Sequence, residues 1–348
     1  MFCNSVFDTK LAGNSQPSPV LHTLLIWILS PLIVIMFSLE REDYAEATGS
    51  RLGDFLREFI FQQDEIEQPG ADLSDTSLFD INTRNIQSFF LSSTPGSVGA
   101  WYMEPEVPST HGKAVLYLHG VKGNRARSYR VGLYNLLLRE GFRVLAIDYR
   151  GFGDSTDISE DEDTVVQDAL VALDWLRNKV GEETDIFAWA HSLGTGIACH
   201  ALAKEVIQKG ENPQVQGLIL EAPFNNFGEE FIAKTSNTSN PVAKAALSAL
   251  YALTGDILPD ALLRLFNMEF TSDIFLPKIL CPVMMLHAED DDKIPIELAK
   301  KLYESAHADG KKNIDFHFFD KNLGYKHHDI YQAENLPAMI REFTSLTK

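Results

Sequence analysis

Residues 185–198 read DIFAWAHSLGTGIA, and their reading decides the fold of this chain. DIFAWAH is a short, continuous apolar run of the kind that fills a buried β-strand, and a helical pattern follows it through about Lys209. Between strand and helix stands Ser192, flanked two residues before and after by Ala190 and Gly194. A serine at such a turn is lifted above the sheet edge, and only small neighbours let the chain reverse that sharply. Ala190 replaces the glycine of the usual G-x-S-x-G pattern but keeps the steric logic. Gly196 and Ala198 allow the following helix to pack closely. Small-residue turns also occur without chemistry, so the nucleophile reading of Ser192 rests on the strand–turn–helix context.

Working outward, strand and helix patterns alternate. IQSFFLSS and VGAWYME flank the turn TPGS and read as a β-hairpin. AVLYLH (114–119), RVLAIDY (143–149), VQGLILEA (215–222), PVMMLHAE (282–289) and NIDFHFF (313–319) read as strands. Helices are expected up to about Glu140, over 161–179, and near Pro295 and Leu336. This alternation predicts an α/β fold with a mostly parallel sheet covered on both faces. The rhythm stops between Phe224 and about Phe275, in a stretch rich in Ala, Leu and Phe. We read 225–275 as a helical, lid-like insertion at the top of the sheet. The expected layout is a tail over 1–20, an apolar anchor over 21–39, a connecting segment over 40–76 and the catalytic domain over 77–348.

A hydroxyl nucleophile needs a base, and the base needs an orienting carboxylate. The acid belongs after the strand PVMMLHAE, where Glu289, Asp290, Asp291 and Asp292 stand in a row. The spacing D-x-x-I-P, completed by Ile294 and Pro295, selects Asp291, with Asp290 second. The base belongs after the last strand, where KNLGYKHHDIY offers both His327 and His328; spacing leaves the two open. His119, His191, His287 and His317 are read as structural. Oxyanion donors are expected from the backbone N–H groups of Val121, in the Gly-rich turn after the first central strand, and Leu193. Arg125, Arg127 and Arg130 cluster just beyond that turn, and Arg130 is the candidate contact for an anionic head group.

Composition excludes other classes. A formal net charge of −19 on 348 residues disfavours nucleic-acid binding, which needs Lys and Arg stripes. Phosphate-loop and dinucleotide motifs are absent. Cys3, Cys199 and Cys281 show neither zinc spacing nor a disulfide framework. No cofactor and no metal are expected.

Residues 21–39, LHTLLIWILSPLIVIMFSL, carry no Asp, Glu, Lys or Arg. As a helix they would extend roughly 28 Å, close to a hydrocarbon core. A cleaved signal peptide is the main rival, with Ala45-Glu46-Ala47 as its cleavage site, but the basic n-region is weak and the apolar run long. We therefore expect a retained anchor. Lys10 before the span and Arg41, Arg51 and Arg57 after it favour a cytosolic C-terminal domain. Residues 51–62 (RLGDFLREFIFQ) read as a short amphipathic helix.

With these motifs in view, the chain resembles the membrane-anchored lysophosphatidylserine and monoacylglycerol lipases of the α/β-hydrolase-domain family, over roughly 98–348. The resemblance is carried by YLHGVKGNRARSYRVGLYNLL, DYRGFGDS, HSLGTGIA, LHAEDDDKIP and LGYKHHDIY. It implies the α/β-hydrolase fold, a triad of Ser192, Asp291 and His327, and the choice of His327 over its neighbour. It also implies residence in the endoplasmic reticulum with a lumenal catalytic domain, the opposite of the charge rule. In the lumen, the sequon at Asn237 would be open to glycosylation. The expected activity is hydrolysis of lipid acyl esters, either lysophospholipids or monoacylglycerols. Rival readings are a protein depalmitoylase or general carboxylesterase, a catalytically dead hydrolase fold used for binding, and an epoxide hydrolase or dehalogenase. The last would need an aspartate where Ser192 stands.

Overall fold

The segment quoted first, β5 (Asp185–His191), lies inside an eight-stranded sheet in a computed structural model of the chain. The structure describes residues 71–107, 112–157, 161–209, 215–230, 263–264 and 267–346. The amphipathic stretch 51–62, the apolar run 21–39 and Asn237 lie outside them.

The other strands are β1 (Ile86–Ser92), β2 (Ser97–Met103), β3 (Lys113–Leu118), β4 (Phe142–Asp148), β6 (Gly217–Glu221), β7 (Val283–Ala288) and β8 (Ile314–Phe319). Their spatial order is β1-β2-β4-β3-β5-β6-β7-β8. β1 and β2 form the expected hairpin, with Ser92 opposite Ser97, and β2 pairs antiparallel with β4. All later neighbours are parallel, from β4 through β8. Each strand read from the sequence is present, with ends shifted by at most a few residues.

Parallel strands covered on both faces read as unbroken apolar runs, because alternate side chains enter two different cores. In β5, Ile186, Ala188 and Ala190 enter one core, and Phe187 and Trp189 the other. The first core is closed by α2 (Glu162–Val180), α3 (Leu193–Lys209) and α4 (Ile296–Ala308), through residues such as Val165, Ile197 and Leu302. The second is closed by α1 (Ser128–Arg139) and α5 (Leu336–Leu346), through Val131, Tyr134, Ile340 and Phe343. Helix α2 starts where Asp161 accepts a hydrogen bond from the Thr164 N–H, and stops at Gly181.

Two details refine the layout. Leu73, inside the stretch read as a connecting segment, is buried, and its carbonyl accepts from Trp101 Nε1 at 2.8 Å. The packed domain therefore reaches back at least to Leu73. At the far end of 225–275, Phe270 packs against Gly196 of α3, where an added Cβ would come within 3.0 Å of it. The Phe270 N–H also donates to buried Glu162 at 2.7 Å. This returning end is fastened to the domain by core packing.

Candidate active site

β5 ends at His191 and α3 begins at Leu193, so Ser192 alone makes the turn. Its φ is +53°, a left-handed conformation rare for a residue with a Cβ and typical of strain held at a working site. The neighbours hold it there. Ser192 N–H donates to the Glu221 carbonyl of β6 at 2.9 Å, and its own carbonyl accepts from Thr195 N–H and Oγ. Gly194 must lack a side chain, because a Cβ there would collide with the Leu118 carbonyl. Ala190 is fully buried in the first core.

The candidate acid and base come from the loops after β7 and β8. Asp291 Oδ1 accepts from the N–H groups of Lys293 and Ile294, at 2.8 and 2.9 Å. Its Oδ2 accepts from His327 Nδ1 at 2.7 Å. Burial alone would raise this carboxyl; His327, His287 and the Ile294 N–H outweigh burial and hold it below its usual 3.8. Asp290 does a different job, accepting from the Lys326 N–H and so tethering the loop that carries His327.

The two adjacent imidazoles separate cleanly. His327 makes the carboxylate bond, whereas His328 stacks on Tyr129 with ring centroids 4.3 Å apart. Burial, then the charges of His327 and Arg130, push His328 down to about 3, so it stays neutral. His327 is tied to β5, the strand that leads into Ser192, through His191, whose Nε2 lies 2.8 Å from the His327 carbonyl. A carbonyl only accepts, so Nε2 carries the proton. Burial drives His191 well below its ordinary value and keeps it neutral.

On the other side, the turn after β3 packs onto the serine: a Cβ on Gly120 would come within 2.8 Å of Ser192 Cβ. Lys122 and Gly123 in this turn are both left-handed. Leu193 opens α3, so its N–H belongs to the first helical turn, whose amides have no intrahelical acceptor. The turn that carries Val121 and the helix start that carries Leu193 thus both adjoin Ser192, where the two oxyanion donors are expected.

Arg130 departs from expectation. It is fully buried, and its guanidinium donates to the carbonyls of Gly120, Val121, Lys122 and Asn124. A head-group contact needs an exposed cation, and this one is enclosed by the chain's own backbone. Arg125 is likewise internal, paired with Asp148 and Asp154 at 2.6 Å each. Asp148 and Asp154 are the first and the seventh residues of DYRGFGDS, so that motif is an internal clamp.

His191, expected to make strand-end hydrogen bonds and to pack beneath the elbow, makes such a bond, and it joins β5 to the loop carrying His327. Arg130, expected as a head-group contact, faces inward. One buried residue beside the elbow carried no expectation from the sequence. Glu221, from VQGLILEA, is buried beside the elbow, donated to by Trp189 Nε1 at 2.8 Å, and raised by burial to about 7. A carboxylate ending an apolar strand was its visible signal. Among the described residues, His191, His327 and His328 place one ring nitrogen each within 4.8 Å of one another, a donor set suited to a transition metal. His327 is already engaged by Asp291, and His191 by the His327 carbonyl.

A family model described as alpha/beta hydrolase fold matches residues 113–236. Among curated proteins, the chain is 36% identical over 253 residues to lysophosphatidylserine lipase ABHD12 of Danio rerio, covering 70% of this chain and 60% of that protein. It is 37% identical over 251 residues to the Xenopus tropicalis protein of the same name, covering 71% and 61%. The chain thus spans about three fifths of the length of these lipases. It is 31% identical over 277 residues to human protein ABHD12B, covering 74% of this chain and 72% of that one. Solved structures agree in fold: an alpha-beta hydrolase from Vibrio vulnificus superposes with a TM-score of 0.63 at 19% identity, over 88% of this chain and 99% of that one. The Pyrococcus furiosus esterase Pf2001 superposes with a TM-score of 0.55 at 18% identity, over 75% and 90%.

Proposed function

Since the chain belongs to the α/β-hydrolase family, in the group that includes ABHD12 and ABHD12B, we propose that it is a serine hydrolase cleaving acyl esters of membrane lipids, with Ser192, His327 and Asp291 as its triad. The observation that carries this reading is the 2.7 Å bond from His327 to Asp291, in a loop fastened to the residue beside Ser192.

The steps follow from where protons and charge must go. His327 Nε2 takes the Ser192 hydroxyl proton as Oγ attacks the ester carbonyl carbon. Asp291 keeps the proton of His327 on Nδ1, leaving Nε2 as the base, and stabilises the imidazolium that forms. The N–H groups of Val121 and Leu193 receive the oxyanion, each contributing about 10²–10³ in rate. As the tetrahedral intermediate collapses, His327 returns its proton to the departing alkoxide and the acyl group stays on Oγ. Water then attacks the acyl carbon with His327 again as base, and the fatty acid leaves. The residues complete this cycle without a cofactor.

The lipid class rests on the curated relatives, which are named lysophosphatidylserine lipases, and on the apolar run 21–39. Lysophospholipids such as lysophosphatidylserine come first, monoacylglycerols second. We place the catalytic domain in the endoplasmic reticulum lumen, anchored through 21–39. Among the described residues no helix is long and apolar enough to cross a membrane. Carbonate extraction of the full chain, and glycosidase sensitivity that disappears in Asn237→Gln, test this placement.

The deciding experiment profiles lysophospholipids, monoacylglycerols and short water-soluble esters with wild type and Ser192→Ala. Turnover of lysophospholipids should exceed that of short esters and fall of the order of 10⁶-fold in the variant. Equal rates on short esters would move the assignment to a general carboxylesterase. Failure of the folded wild type to react with a fluorophosphonate would move it to a binding module.

A further inference from the structure

Arg130 is a cation with no exposure, held among four carbonyls of one turn. Nη1 donates to the Asn124 carbonyl at 2.6 Å, and Nη2 to the carbonyls of Lys122 at 2.9, Gly120 at 3.2 and Val121 at 3.4 Å. The Gly120 carbonyl has a second donor, His119 Nδ1 at 2.7 Å. The guanidinium also lies over the Tyr129 ring, 5.3 Å from its centroid.

In a trans peptide the C=O of one residue and the N–H of the next point in opposite directions. Drawing the Gly120 carbonyl inward to Arg130 and His119 therefore turns the Val121 N–H outward. Drawing in the Val121 carbonyl does the same for the Lys122 N–H. Left-handed Lys122 and Gly123 complete the turn, and successive backbone N–H groups in such turns form anion-binding concavities. Gly120 packs on Ser192 Cβ, so the turn lies beside the proposed nucleophile.

We propose that Arg130 is a positioning residue that sets the oxyanion hole, by fixing the carbonyl side of the 120–124 turn so that its amide side faces the reacting carbonyl. The inference rests on the serine-hydrolase reading above. Its enclosed charge also raises the local potential where the oxyanion develops, with no solvent to reorganise. Lysine supplies the charge but not the fork: one ammonium cannot reach carbonyls spread over four residues with the same geometry.

The test uses the full chain with a neutral p-nitrophenyl ester and an anionic lysophospholipid, comparing wild type, Arg130→Lys and Arg130→Met. For Arg130→Lys, kcat should fall about 10–10³-fold with KM within about twofold, by the same factor on both substrates. Affinity for a trifluoromethyl ketone, which presents an oxyanion once Ser192 has added to it, should fall in parallel with kcat/KM. Should Arg130→Met fail to fold, Arg130→Lys carries the test, with folding checked by circular dichroism. Wild-type kcat in folded Arg130→Lys overturns the inference, as does a loss confined to KM on the anionic substrate, which is the signature of a head-group contact. A wild type that turns over no ester at all overturns the hydrolase reading itself, and the inference with it.

Discussion

His191 donates from Nε2 to the main-chain carbonyl of His327 at 2.8 Å, so the residue before the proposed nucleophile grips the residue proposed to activate it. Their rings lie 4.8 Å apart, both buried. The bond crosses from β5 to the loop after β8, with β6 and β7 between them in the sheet. Removing the donor leaves a buried carbonyl without its partner and the base free to drift. His191→Phe should lower kcat by about 10–100-fold with KM unchanged, whereas His191→Gln, which keeps a donor, should retain more of the activity. Steady-state kinetics on a soluble ester distinguish them; equal activity in the two variants would remove this role.

Only one of the adjacent imidazoles bonds to the carboxylate. His327→Gln should therefore abolish turnover, while His328→Phe, which can stack on Tyr129 in the same way, should remain within a few-fold of wild type. Inactivity of folded His328→Phe would reverse the assignment.

Asp291→Asn keeps the shape of the acid but removes its charge and frees the His327 tautomer. Turnover should drop of the order of 10⁴-fold. The same carboxyl shapes acid stability. Its folded pKa lies below 3.8, so its contribution is present above 3.8 and disappears as pH falls through the folded value. Wild type and Asp291→Asn should thus differ in melting temperature at pH 5–7, and the difference should shrink as the pH is lowered below 3.8 through the folded value. A difference that stays undiminished there would contradict the linkage.

Glu221 acts with the opposite sign. Its carboxyl is raised from 4.5 to about 7 by burial, so the folded chain holds a proton that the unfolded chain has lost. Stability falls as pH rises from 4.5 to about 7 and is flat beyond. Glu221→Gln, which still accepts from Trp189 Nε1, should remove this slope. The variant should match wild type near pH 4.5 and gain of the order of 1–3 kcal/mol at pH 8. Parallel denaturation curves at both pH values would show that the carboxyl is not desolvated.

Legibility in the sequence followed the range of the interactions. Strands such as β3 and β5 were plain because burial on two faces demands unbroken apolar runs. The Ser192 turn was plain because sterics act within five residues. Singling out Asp291 among four consecutive acids was possible through the local step to Ile294 and Pro295, a turn in which the Lys293 and Ile294 N–H groups fix one of its oxygens. His327 and His328 could not be separated by spacing, since what separates them is Asp291 on one side and Tyr129 on the other, both remote in sequence. Arg130 misled for the same reason. An arginine after a glycine-rich turn looks exposed until the turn folds back over it.

β6 and β7 are hydrogen-bonded neighbours, Leu218 beside Val283 through Glu221 beside Leu286, although residues 222–282 separate them along the chain. Whatever length or composition that excursion takes, its two ends are clamped in register on β6 and β7, the two strands next in line after β5. Mutation can therefore redraw that excursion while the spacing between Ser192 and Asp291 stays constant. A protein built this way can change its diet without relearning how to digest.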